Sequence, residues 1–100
     1  MNNMNVAKII LEQLGGNQFV MMTGSKGFIV NDKSLSFKVG RNSKSVSHVK
    51  VTLDPSDTYT VDFLRVRAGK ISIVAKVSDV YCAEIQKVFT THTELYTRLN

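Results

Sequence analysis

The chain has 100 residues, of which 43% are hydrophobic and 21% charged, and its formal net charge is +5. That size and composition are typical of one globular domain with its own core, and they exclude a disordered or fibrous chain. The single cysteine excludes an internal disulfide, and no apolar run approaches the roughly 20 residues of a membrane span. From this size we expect a single domain over residues 1–100. Because no signal-peptide pattern opens the chain, we expect the protein in the reducing cytoplasm, without a membrane partner.

Apolar residues at helical spacing predict a helix near each end of the chain. Val6, Ile10 and Leu14 form the first stripe, which a pair of glycines ends. Ser78 is expected to cap the last helix. The apolar stripe of that helix is Tyr81, Ile85, Val88, His92, Leu95 and Leu99. Residues 90–93 contain three threonines, which are poor helix formers, so we expect the helix to weaken there.

Strand-like runs lie between the two helices. They span residues 19–23, 28–30, 34–39, 48–53, 58–67 and 70–77. Ala68-Gly69 suits a two-residue hairpin loop, and the proline-containing segment 54–57 suits a four-residue turn. Because short turns join antiparallel strands, the sequence predicts an α+β fold of the order α-β-β-β-β-β-α. In this fold an antiparallel sheet of about five strands carries the N- and C-terminal helices on one face.

The two turns also predict which side chains share a face of the sheet. They pair Arg67 with Lys70 and Leu53 with Thr58, and strand alternation then defines two faces. The face expected to be buried against the helices holds Val49, Val51, Leu53, Leu64, Val66, Ile71, Ile73, Ala75 and Val77. The face expected to be open holds His48, Lys50, Thr52, Tyr59, Val61, Phe63, Arg65, Arg67, Lys70, Ser72, Val74 and Lys76. Asp62 falls on the apolar face, which indicates a bulge or a position at the rim.

Positive charge is concentrated in the middle of the chain. Residues 33–76 carry nine lysines and arginines against three aspartates, whereas the flanking segments have a net charge of zero and −1. Cations neutralise phosphates, and aromatic rings stack on unpaired bases. We therefore expect the open face to bind an anionic partner, with nucleic acid first. The residues assigned to this site are Lys50, Arg65, Arg67, Lys70, Lys76, Tyr59 and Phe63, with secondary anion contacts from Lys26, Arg41 and Lys44.

The same face allows two other interpretations. Its apolar stripe of Tyr59, Val61, Phe63 and Val74 is also typical of a self-association interface that the basic residues would only rim. On that interpretation the protein is a homo-oligomer. The charges are also compatible with an ordinary solvated surface.

Residues for catalysis and metal binding are sparse. The chain has two histidines and one cysteine, without metal-ligand spacing. His92 lies on an apolar stripe, which is typical of a core histidine, and Cys82 is expected to be a small buried hydrophobe. The segment Thr23–Gly27 lacks the full spacing of a phosphate-binding loop and is interpreted as a turn. The sequence thus indicates a binding protein without enzymatic activity, metal or cofactor.

A family resemblance rests on short segments spread over most of the chain. They are residues 10–19, Met22-Thr23-Gly24, 34–37, 57–61 with Arg65 and Arg67, Val88-Phe89-Thr90 and Leu95-Tyr96-Thr97. Together they resemble a family of uncharacterised small proteins from bacteriophages and bacterial mobile elements. The resemblance implies an accessory protein that acts inside a bacterial host cell, in nucleic-acid handling or in counter-defence. A counter-defence protein would bind a host protein or sequester a nucleotide signal as a homo-oligomer.

Overall fold

The structure, a computed structural model, describes residues 3–95 of the chain, with side chains from residue 6 onward. In this part of the chain, two helices precede a five-stranded antiparallel sheet and one helix follows it, which confirms the predicted α+β class. The elements are α1 Asn3–Leu14, α2 Gly16–Thr23, β1 Lys26–Val30, β2 Ser34–Lys38, β3 His48–Leu53, β4 Tyr59–Arg67, β5 Lys70–Val80, a 3-10 turn at Cys82–Glu84, and α3 Ile85–Thr93. Neighbouring strands follow chain order, so β1 and β5 form the two edges of the sheet.

The helices pack on one face of the sheet, as predicted for the terminal ones. Ile10 of α1 and Ile85 of α3 are buried in a common core. Phe19 of α2 meets the rings of Phe37 and Phe89 edge-on, with centroids 5.5 and 5.1 Å apart. The sheet contributes Leu35, Phe37, Val49, Val51, Tyr59, Val61 and Phe63 to this core. The opposite face, called the open face below, carries no helix among the described residues.

Residues 19–23, predicted as a strand, form the last turns of helix α2. Gly15 and Gly16 both adopt positive φ, so α1 ends and a second helix starts at once. Phe19 and Thr23 are buried on one side of this helix, and the Thr23 hydroxyl donates to the Phe19 carbonyl at 2.7 Å. Gly24 ends α2 in the left-handed conformation. A short run of bulky apolar residues suits a strand or a buried helix equally, and here the flanking glycines decide for the helix.

The turn between β3 and β4 is one residue longer than predicted. Leu53 pairs with Tyr59 rather than with Thr58. Asp57 adopts φ 69, and the Asp54 N–H donates to the Thr58 carbonyl at 2.8 Å, so that Thr58 belongs to the turn. A shift of one residue turns every side chain of a strand to the other face. The predicted faces of β4 are therefore wrong: Tyr59, Val61 and Phe63 lie in the core, whereas Leu64 and Val66 lie on the open face.

The β4–β5 hairpin keeps its predicted two-residue loop but contains a bulge. The pairing of Arg67 with Lys70 is confirmed. Farther along, Phe63 pairs with Ala75 and not, as predicted, with Val74, because the ladder shifts by one residue at this point. Two isoleucines that were expected in the core, Ile71 and Ile73, are instead 70% and 66% exposed on the open face.

Strand β5 takes up residues that were predicted to begin the last helix. It continues to Val80, which pairs with Tyr59 and is buried in the core. Ser78 therefore lies within a strand and does not cap a helix, and α3 begins only at Ile85. Tyr81, predicted as the first residue of the apolar helical stripe, is exposed.

Ile85, Val88 and His92 of the predicted stripe lie in α3, as expected, whereas Leu95 follows the end of this helix. The His92 ring is half-buried and stacks on the Phe63 ring, with centroids 4.8 Å apart. Helix α3 ends at Thr93, inside the threonine-rich stretch that was expected to weaken it, and Glu94 caps it with φ 61. Leu99, the last residue of the predicted stripe, lies outside the described residues.

Candidate anion-binding site

The path of the chain through the sheet places basic residues mainly at one end and aspartates mainly at the other. In an antiparallel meander successive turns alternate between the ends. The loops 39–47 and 68–69 therefore share one end, and the turns 31–33 and 54–58 share the other. The first, called the basic end, collects Lys26, Lys38, Arg41, Lys44, Arg65, Arg67 and Lys70. The second, called the acidic end, collects Asp32, Asp54, Asp57 and Asp79, together with Lys33.

A pocket of about 420 Å³ opens at the basic end. Loop 39–47 forms one wall, and the last residues of β4 form the other. Its polar lining consists of Arg41, Asn42, Ser45, Ser47, Arg65 and Arg67. The lining contains three guanidinium groups and no carboxylate, so the pocket attracts anions.

Loop 39–47 is held in shape by its own polar groups. Gly40 donates its N–H to the Thr23 carbonyl at 2.9 Å, and a Cβ at Gly40 would lie only 2.9 Å from that oxygen, so this close approach requires glycine. The Asn42 amide donates to the carbonyls of Gly40 and Val46 at 2.9 and 2.7 Å. The Val46 N–H donates back to Asn42 Oδ1 at 3.1 Å. These bonds close the loop around Asn42 and set one wall of the pocket.

Arg65 joins the two walls. Its Nε donates to the Ser45 carbonyl at 3.2 Å, and its Nη2 to the Lys44 carbonyl at 3.4 Å. These bonds fix the guanidinium plane and leave its remaining N–H groups for another acceptor. Arg41 and Arg67 are exposed, and within the described part of the chain their side chains make no hydrogen bond or ion pair. A fixed guanidinium beside two exposed ones suits the planar, bidentate recognition of phosphate.

Within the described part of the chain, none of the cations of the basic end forms an ion pair. Among residues 6–95 there is one ion pair, between Lys76 and Asp62 in the middle of the open face, with the two charged atoms 3.9 Å apart. One carboxylate contacts loop 39–47: that of Glu94, which accepts a hydrogen bond from Ser43. Lys26 and Lys38 are direct cross-strand partners, and like charges in that position repel each other. A bound anion would relieve this repulsion.

The basic end unites the two groups of cations that the sequence had kept apart. Arg65, Arg67 and Lys70 were assigned to the sheet face, and Arg41 and Lys44 to secondary loop contacts, yet all five lie at this end. Lys26, the third predicted secondary contact, also lies there at the start of β1.

The other predicted site residues lie elsewhere. Lys50 and Lys76 are on the open face, where each pairs in the ladder with Asp62. Tyr59 and Phe63 are 4% and 0% exposed, so their rings face the core and are unavailable for stacking on bases. The predicted single face that mixes basic and aromatic residues is therefore wrong.

Four residues of the site were missed by the sequence analysis: Lys38, Asn42, Ser45 and Ser47. Lys38 is the last residue of β2, and the polar loop that follows it carries Asn42, Ser45 and Ser47. The signal that could have identified them is their position in, or directly before, the loop that carries Arg41. Alternate loops of an antiparallel meander lie at the same end of the sheet, so these residues lie near the cations of the next such loop. Strand alternation, which sorts residues by face, does not detect that grouping.

A buried tyrosine lies near the acidic end. Burial raises the pKa of Tyr59, the charges of Cys82 and Asp57 raise it further, and the neighbouring Gln13 side chain opposes the change. Cys82 is exposed, so its expected burial is wrong. Gln13 Oε1 is buried without a hydrogen-bond partner among the described residues.

Comparisons with protein-family models, with curated proteins and with solved structures yield no match to this chain. Within residues 3–95 no helix has the length and apolar character to cross a membrane. In the same part of the chain, no group of three or more histidine, cysteine, aspartate or glutamate side chains is arranged to hold a metal ion.

Proposed function

We propose that the protein is a non-enzymatic binding module whose basic end binds the phosphate backbone of nucleic acid. One observation carries this proposal: seven lysines and arginines, none with an ion-pair partner among the described residues, lie at the same end of the sheet as an arginine-lined pocket. Four aspartates lie at the other end, so the protein presents its positive end to a polyanion. The resemblance to phage and mobile-element proteins makes the nucleic acid of a bacterial cell the first partner to test.

The arginines of the pocket and the lysines beyond it bind different phosphates. Arg65 is already oriented by its bonds to the carbonyls of loop 39–47, so it loses little freedom when it meets a phosphate. Arg41 and Arg67 close around the same phosphate as bidentate donors. Lys26 and Lys38 extend the positive surface beyond the pocket along the ends of β1 and β2, where they neutralise neighbouring phosphates as point charges.

Binding of this kind depends on charge more than on base identity. The rings of Tyr59 and Phe63 are buried, so they give no preference for unpaired bases. We therefore expect duplex and single strands to bind with little sequence dependence and strong salt dependence. If each of the seven cations met a phosphate, log K for a duplex would fall against log salt with a slope of about −6, at roughly 0.9 per contact.

Titration of a labelled duplex at several salt concentrations tests the proposal. The double variant Arg41→Gln/Arg67→Gln removes two exposed cations of the pocket and should make the slope shallower by about 1.8. The control Lys33→Gln/Lys87→Gln removes the same charge from the acidic end and from α3, and should keep nearly the parent slope. Absence of binding by the parent at low salt, or an equal loss in both double variants, would refute a phosphate site at the basic end.

The pocket itself favours a second candidate, the sequestration of a small nucleotide. Its volume of about 420 Å³ lies within the range of small-molecule sites, and its three arginines suit a phosphate group. Calorimetric titration with a mononucleotide separates the two functions. A mononucleotide that binds the parent but not the Arg65→Gln variant, together with no binding of duplex, would favour the nucleotide role.

A further inference from the structure

The open face carries an apolar patch at the β4–β5 hairpin. Leu64 pairs with Ile73 and Val66 with Ile71, so the four side chains form two adjacent cross-strand pairs. Val66, Ile71 and Ile73 are 36%, 70% and 66% exposed. We call these four residues the hairpin patch. It replaces the predicted self-association stripe, whose residues Tyr59, Val61 and Phe63 are buried in the core.

The patch adjoins an edge strand that no described residue covers. β5 is 11 residues long and pairs only with β4 among the described residues, so its outer backbone edge is unpaired. A long edge strand with exposed apolar side chains is a template for pairing with another strand. Ile73 and Val74 lie near the middle of β5, so a strand added there would contact their side chains.

The charges of the sheet indicate which strand would pair there. Two copies that pair through β5 in the antiparallel sense lie end for end, because a two-fold axis then passes through the sheet. The basic end of each copy comes beside the acidic end of the other. Within β5 itself, the Lys70 end of one strand runs beside the Asp79 end of the other. Parallel pairing would instead bring like-charged ends together, at an electrostatic cost.

We propose that β5 pairs antiparallel with β5 of a second copy of the chain, to form one continuous sheet. The open faces of the two copies then lie on the same side, and the helices lie together on the other. The apolar side chains near the middle of β5 meet at the two-fold axis. This proposal does not depend on the proposed function, since it uses the opposite edge of the hairpin and requires no ligand.

Mass measurement by light scattering over a wide concentration range, without nucleic acid, tests the interface. We expect the parent mass to rise from monomer to dimer as concentration increases. Ile73→Gln should raise the dimer dissociation constant at least about tenfold, because two apolar side chains lose their burial in each dimer. Ile29→Gln is the matched control: Ile29 is 59% exposed and lies on the open face of β1, the other edge strand. That control should leave the constant unchanged.

The orientation of the pair has a separate test. Lys70→Glu places two acids side by side in the antiparallel pair and should weaken the dimer, whereas Lys33→Glu, the same charge change away from β5, should not. Added salt should also weaken the parent dimer, because it screens the attraction between opposite ends. A parent that stays monomeric overturns the proposal. So does a dimer that Ile73→Gln leaves intact, a dimer that Lys70→Glu strengthens, or a parent that pairs only with a different protein.

Discussion

Replacing Phe63 with alanine tests the register of β4, which decides the faces of the sheet. Phe63 is fully buried, its ring stacks on His92 at 4.8 Å, and it pairs with Val49 and Ala75 on the neighbouring strands. Removal of such a ring leaves a cavity and lowers the free energy of unfolding by about 3–5 kcal/mol. A domain of this size is stabilised by about 5–15 kcal/mol, so the variant should unfold at a much lower urea concentration.

The neighbouring residue supplies the control for this change. Leu64 lies on the open face and is only half-buried, so Leu64→Ala should cost about 1 kcal/mol, roughly half the value of a fully buried leucine. Urea unfolding followed by circular dichroism measures both variants, and similar slopes against urea would show that both unfold as the parent does. If Leu64→Ala cost more than Phe63→Ala, β4 would have the other register, and the assignment of the open face would be refuted.

Two further predictions concern the site loop and the buried tyrosine. Asn42→Ala removes the amide that makes three hydrogen bonds within loop 39–47; it should lower stability by about 1–3 kcal/mol and weaken duplex binding without any change in charge, and unchanged binding would show that the loop does not shape the site. The raised pKa of Tyr59 gives stability that is fully present below the unfolded tyrosine value of about 10 and is lost as pH rises through the folded value. Urea unfolding from pH 8 to 11 should therefore show a steeper alkaline loss for the parent than for Tyr59→Phe, and parallel curves would contradict this.

Much of the fold follows from local sequence signals. Apolar spacing and a pair of glycines predict α1, and alternation with short turns predicts β2 to β5 nearly to their ends. These signals act over a few residues, so they are visible without tertiary structure. Residues 19–23 show where such signals stop: their bulky apolar side chains suit either element, and burial of Phe19 between two other rings stabilises the helix.

The register of β4 could not be decided from its own pattern. The strand carries apolar side chains on both of its faces: Tyr59, Val61 and Phe63 are at odd-numbered positions, and Leu64 and Val66 at even-numbered ones. The choice depends on one turn residue, Asp57, which adopts a positive φ that aspartate tolerates better than most residues. Asp62 was the one signal against the predicted register, since a carboxylate does not belong on a core face, and it lies on the open face.

The polarity of the sheet arises from the order of charges along the chain and from the meander. Cations near residues 38–44 and 65–70 alternate in sequence with aspartates near residues 32 and 54–57. A meander of this strand order sends alternate turns to opposite ends, so it converts this alternation into one positive and one negative end. The two proposals draw on that polarity, yet different residues separate them. Arg41 lies in the loop between β2 and β3, where it can affect anion binding but not pairing of β5. Ile73 lies on β5, where it can affect pairing but not the arginine pocket.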